Sequence, residues 1–203
     1  MLSLRGALTS LVWLTLSMPL LAADFSDPTW PCIQRKVERL SPGLMWPGPL
    51  EPSNAKLTRD ASDLADLLSL RRLELDQVEQ NVVAFSNAHS GDPEVLGQVF
   101  NSVFQTLSSR RTMIIRGIER FSISQIALSE KIDRARVEMA SEMARDAPDY
   151  DKVDALEEQL DWDQLIYSDR QKSITYLCET PTLLEKRLFG VAQLLQLHVR
   201  EGG

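Results

Sequence analysis

Few side chains in this sequence have types and spacings that could support chemistry. There are two histidines, His89 and His198. A di-iron helical site needs Glu-x-x-His pairs, but the residues three before these histidines are Ser86 and Leu195. The chain has no HExxH, no GxSxG, no phosphate loop and no dinucleotide fingerprint. The expectation is a protein without catalytic machinery, metal or cofactor. The two histidines then read as helix-end residues, where a partial positive charge complements the dipole.

Cys32 and Cys178 are the only cysteines, 146 positions apart and outside any CxxC or CxxCH spacing. In an oxidising compartment an isolated pair joins. A Cys32 to Cys178 disulfide is therefore expected, tying an N-terminal segment to a late helix.

Two charged clusters remain. Asp149, Asp151, Asp154, Glu157, Glu158, Asp161 and Asp163 lack the DxDxDG turn of a calcium loop. A helix spreads them around its faces and enriches its first turn in acid, which the dipole favours. Arg110, Arg111, Arg116 and Arg120 form the basic concentration. They either pair with acids of the same chain or receive an anionic partner. Trp30 and Trp46 join them as candidate partner-binding residues: in a Pro-rich segment such rings either pack as anchors or stand out for recognition.

The elements that must position these residues follow from punctuation and periodicity. Residues 1–23 carry Arg5, an apolar run from Ala7 to Leu16, then Pro19 and the small pair Ala22 and Ala23. This is the layout of a cleavable signal peptide, too short for a comfortable membrane span. Residues 24–53 hold Pro28, Pro31, Pro42, Pro47, Pro49 and Pro52 and read as an extended strap, with one short helix over Cys32 to Leu40. Residues 54–203 form a single helical domain.

Within that domain, Leu57, Ala61, Leu64, Leu67 and Leu68 recur at helical steps, and Leu73, Leu75, Val78, Val82, Val83 and Phe85 continue after a bend near 69–72. Ser90, Gly91, Asp92 and Pro93 give a stop and a restart, with Asp92 as N-cap. The next helix buries Val95, Leu96, Val99, Phe100, Val103, Phe104 and Leu107, and the pair Ser108 and Ser109 is expected either to bend it or to interrupt it.

Then Ile114, Ile118, Phe121, Gln125, Leu128, Ile132, Ala135 and Met139 alternate steps of four and three, a heptad seam. It places a helix from about Arg110 to Arg145, roughly 54 Å long at 1.5 Å per residue. After Ala147, Pro148 and Asp149 a second seam follows: Val153, Leu156, Leu160, Asp163, Tyr167, Arg170, Ile174 and Leu177. So short a turn makes the two helices antiparallel. Thr180 and Pro181 then read as the start of a separate last helix carrying Leu184, Leu188, Val191, Leu195 and His198.

The fold class expected is all-α, a helical bundle with a long antiparallel coiled-coil-like hairpin over about 110–178. Gln125, Asp163 and Arg170 occupy seam positions where apolar residues belong, and form either a polar pocket or a register-setting polar layer. Removing Arg5 with the leader leaves 21 basic against 29 acidic residues, a charge of −8, which disfavours nucleic acid and a polybasic membrane footprint.

The function expected is an exported, non-enzymatic interaction, scaffold or chaperone-like protein of the periplasm, secreted if the host lacks an outer membrane. Its partner would be another envelope protein or a second copy. The alternative is a small-molecule-binding or catalytic bundle, with its pocket between the helices of residues 57–107 and the C-terminal helix.

Overall fold

The computed structural model describes residues 27–50 and 57–200. The expected leader and its cleavage site, and the expected fraying of residues 201–203, lie outside the described residues. The described residues contain no strand; they form one 3-10 turn in the strap, Pro42–Leu44, and four α-helices: α1 (Arg59–Leu68), α2 (Leu75–Ala88), α3 (Pro93–Met143) and α4 (Tyr150–Gln196). None of these helices is long and apolar enough to cross a membrane.

Local signals set most of the boundaries. Asp92 caps α3, its side chain accepting from the Glu94 N–H, with Pro93 in the first turn. The turn before it needs left-handed backbone: Ser90 has φ 58° and Gly91 φ 70°. The Gly91 carbonyl also accepts from the Arg200 N–H at 2.9 Å, joining this turn to the C-terminal end of the chain. Asp149 caps α4 through the Lys152 N–H.

At one end α1, α2, the first third of α3 and the last third of α4 pack as a four-helix bundle. Its core contains Leu64, Leu68, Val82, Leu96, Phe100, Leu107, Leu184, Leu188 and Leu195. Beyond it α3 and α4 continue alone as an antiparallel pair. The seam residues Ile132, Ala135 and Leu160 are buried there, with Leu128, Met139, Leu156 and Tyr167 packed around them. The two series of alternating three and four steps therefore meet as expected.

Three boundaries and one seam position differ from the sequence reading. The residues between Pro31 and Leu40 are not helical. Cys32 is tied to α4, and the Gln34 carbonyl is taken by the Trp30 indole N–H at 2.7 Å, which holds the backbone open. Ser108 and Ser109 do not interrupt α3. A serine pair costs only a few tenths of a kcal/mol each in a helix, and Leu107 and Arg111 on either side are buried. The hairpin arm thus grows from a helix of 51 residues, about 76 Å long.

Thr180 and Pro181 do not start a new helix either. Pro181 lies inside α4, and the Thr180 hydroxyl donates back to the Tyr176 carbonyl rather than capping. Packing of Cys178, Pro181 and Leu184 on either side carries the helix through. Finally, Leu177 is exposed and its neighbour Cys178 takes the inward position, because the disulfide fixes that turn of α4 against the strap.

Candidate functional site

The strap is fastened to the base of the arm. Cys32 and Cys178 are bonded with Cα atoms 5.4 Å apart. Around them Trp30, Ile115 and Ile118 form a small apolar cluster. The Ser122 hydroxyl donates to the Pro28 carbonyl at 2.7 Å, and Lys36 bridges Glu119 and Asp27. Glu119 draws the Lys36 ammonium pKa upward. Further along, Trp46 stacks on Phe100 with ring centroids 5.2 Å apart. Gly97 makes this approach possible, since a Cβ there would stand 3.2 Å from the Trp46 indole nitrogen.

These contacts correct part of the candidate set. Trp30 and Trp46 are buried and serve as anchors, not as a recognition surface. Arg111 is also buried: its Nε and Nη2 both stand 2.7 Å from Glu185 Oε1 on α4. Arg110, Arg116 and Arg120 are exposed and form no ion pair among the described residues. Arg116 and Arg120 share the outer edge of α3 with the exposed Met113 and Ile123.

The polar seam residues do not converge into one pocket. Asp163 meets Lys131 at 2.8 and 3.0 Å, Gln125 Nε2 donates to the Tyr167 carbonyl at 3.2 Å, and Arg170 donates to the Ser124 hydroxyl at 3.2 Å. Each is a cross-helix contact with its own partner, so together they fix the register of α3 against α4. Lys131 is the partner that sequence reading missed. Its position one step off the seam was the available sign.

At the far end, Glu142 staples the turn. One carboxylate oxygen accepts from Arg145 at 2.8 Å and from the Asp149 N–H at 3.3 Å, and the other lies 3.4 Å from Lys152. Arg145, and then the Asp149 N–H and Lys152, hold the Glu142 carboxyl below its ordinary value. Lys152 also pairs with Glu138.

The outer edge of α4 is the surface that sequence reading overlooked. Trp162 is 61% exposed and Leu165 54%. They line a shallow concavity with Asp154, Glu157, Glu158 and Asp161. None of these four carboxylates is ion-paired among the described residues. The sign in the sequence was a large ring placed off the seam within an acidic stretch.

Among the described residues the His89 ring pairs with a carboxylate and His198 Nε2 has no hydrogen-bond partner. His89 is the C-cap of α2, with Nε2 2.6 Å from Asp60 Oδ2. His198 lies just beyond α4, its carbonyl accepting from Ser86. Among the described residues no group of three or more His, Cys, Asp or Glu side chains could hold a metal ion. The centre of the bundle between α1, α2 and the two long helices is filled by Leu, Val and Phe side chains, and a concavity lies at its edge where residues 71–75 face Leu183, Lys186 and Arg187 of α4. At the edges of the two-helix arm the arrangement sets unpaired charge beside apolar surface that a partner could bury. No protein family, curated protein or solved structure compared with this chain is significantly similar to it.

Proposed function

We propose that this chain is an exported, non-enzymatic protein that works by presenting its two-helix arm to another protein of the cell envelope, in a scaffold or chaperone-like role. One observation carries the reading. The arm has a single internal seam, while its two outer edges bear exposed apolar side chains beside unpaired charge. A tryptophan left largely in water forfeits on the order of 2 kcal/mol of burial, and rings so placed are typical of interface anchors. The two edges are of opposite sign, acidic around Trp162 and basic at Arg116 and Arg120. This favours steering and orientation of a charged partner.

Export is supported by the leader-like first 23 residues and by a disulfide of the kind that persists in an oxidising compartment.

Site-specific photo-crosslinking in the native compartment tests the proposal, with the reactive residue at position 120 or 162 on the arm and at position 79 on α2 as control. Adducts of defined mass at 120 or 162 and none at 79 are expected. An adduct of twice the chain mass identifies a second copy as the occupant. Absence of adducts at both arm positions, with the protein folded and exported, overturns the proposal.

A further inference from the structure

Near the level where the arm leaves the bundle, the loop between α1 and α2 and one turn of α4 line a cavity of about 400 Å³, formed by Arg71, Glu74, Leu75, Leu183, Lys186 and Arg187. Its charge is unbalanced. Arg187 is only 8% exposed, yet it has no carboxylate partner. Its Nε donates to the Leu68 carbonyl at 2.9 Å and its Nη1 to the Leu73 carbonyl at 2.6 Å, while Nη2 has no hydrogen-bond partner among the described residues.

Arg71 and Lys186, both exposed at the rim, form no ion pair among the described residues. Glu74 is the one carboxylate in the lining, and it closes no ion pair with any of the three cations.

A buried guanidinium held by carbonyls alone is an expensive arrangement. Burial pushes the Arg187 pKa down, which Glu74 opposes only in part. Guanidinium stays charged in proteins all the same, so the missing contribution is a negative one. Two further cations converging on the same concavity make it a positive focus on a chain whose overall charge is −7. Planar guanidinium forks suit oxyanions with several acceptor oxygens. Leu75 and Leu183 add an apolar wall, and the volume exceeds what a bare ion needs.

We propose that this cavity binds the phosphate group of an organic phosphate, with Arg71 and Lys186 at the entrance, Arg187 at the back and the two leucines against the ligand's apolar part. The phosphate could be that of a soluble monoester or of an anionic phospholipid headgroup, and both present the same oxygens.

The test uses the mature chain with its disulfide intact. Thermal unfolding and calorimetry are followed against inorganic phosphate and glycerol phosphate, at ionic strength held constant with chloride. Flotation on phosphatidylglycerol vesicles is compared with phosphatidylcholine vesicles. The paired variant Arg71→Ser, Lys186→Ser changes only exposed side chains and leaves the fold in place.

A saturable rise in melting temperature with either soluble phosphate, weakened at least about tenfold in the variant, is expected, since each lost charge-assisted contact is worth roughly that much. Selective flotation that the variant abolishes, without a response to soluble phosphate, supports the site and identifies the headgroup as its source. No saturable response in any arm, or equal responses from wild type and variant, overturns the proposal.

Discussion

Arg111 of α3 and Glu185 of α4 form a fork of two 2.7 Å contacts to one carboxylate oxygen, at the level where the hairpin arm leaves the bundle. The Arg111 side chain is 4% exposed and that of Glu185 31%, so the pair has one face toward water. Removing one partner from a fully buried pair costs about 3–5 kcal/mol, and the open face here brings the expectation for Glu185→Ala down to about 2 kcal/mol. Replacing both, as Arg111→Met with Glu185→Leu, should cost less than Glu185→Ala alone. Urea unfolding of the singles and the double checks this, and additive losses would show that the pair is not coupled.

The disulfide restrains the unfolded chain by closing a loop of 146 positions. In the chain-entropy model Cys32→Ser with Cys178→Ser should destabilise the protein by about 2–5 kcal/mol. Because Trp30 packs in the same cluster, its fluorescence should shift to the red if the strap lifts away. Equilibrium unfolding with and without reductant reads the first effect, and emission spectra below the transition read the second.

Pro181 offers a gain. It cannot donate to the carbonyl of residue 177, and an interior proline costs a helix about 3 kcal/mol. Pro181 is buried, so Pro181→Ala loses some packing as well. The net expectation is stabilisation by about 1–2 kcal/mol. A lower melting temperature for this variant would show that α4 needs the local bend the ring imposes.

Asp60 makes stability pH-dependent. The Thr58 hydroxyl, then the His89 ring, hold its carboxyl down at about 2, against an ordinary value of 3.8. A depressed folded-state pKa contributes stability that is fully present above pH 4 and disappears as pH falls toward 2. Asp60→Asn should therefore melt below wild type at pH 5 to 6, with the two curves converging as the pH is taken down through 4 to 2. A gap independent of pH across that range would show that the contact acts through packing alone.

Much of the fold was legible because heptad spacing is a one-dimensional record of a one-dimensional contact. Ile118, Ile132, Leu160 and Ile174 face the seam since 3.5-residue periodicity leaves them no other shared side. The caps at Asp92 and Asp149 were equally local. The sites were less legible. Arg111, Arg116 and Arg120 are alike in sequence, but α4 approaches only the first closely enough to bury it. Trp46 and Trp162 are the same residue type; a glycine on α3 makes room for one, while nothing covers the other.

The sequence by itself thus determined the helical class, the antiparallel return at Pro148, the pairing of the two cysteines and the absence of known catalytic motifs. These rest on periodicity, on turn chemistry and on there being a single possible intrachain pair. Only the tertiary structure decided that α3 runs unbroken through Ser108 and Ser109, that α4 runs through Pro181, that both strap tryptophans point inward, and that Arg187 is buried beside Arg71 and Lys186. Helix continuity and burial depend on what lies across the gap from a residue, and a side chain's neighbours in space are set by packing between segments far apart in the chain.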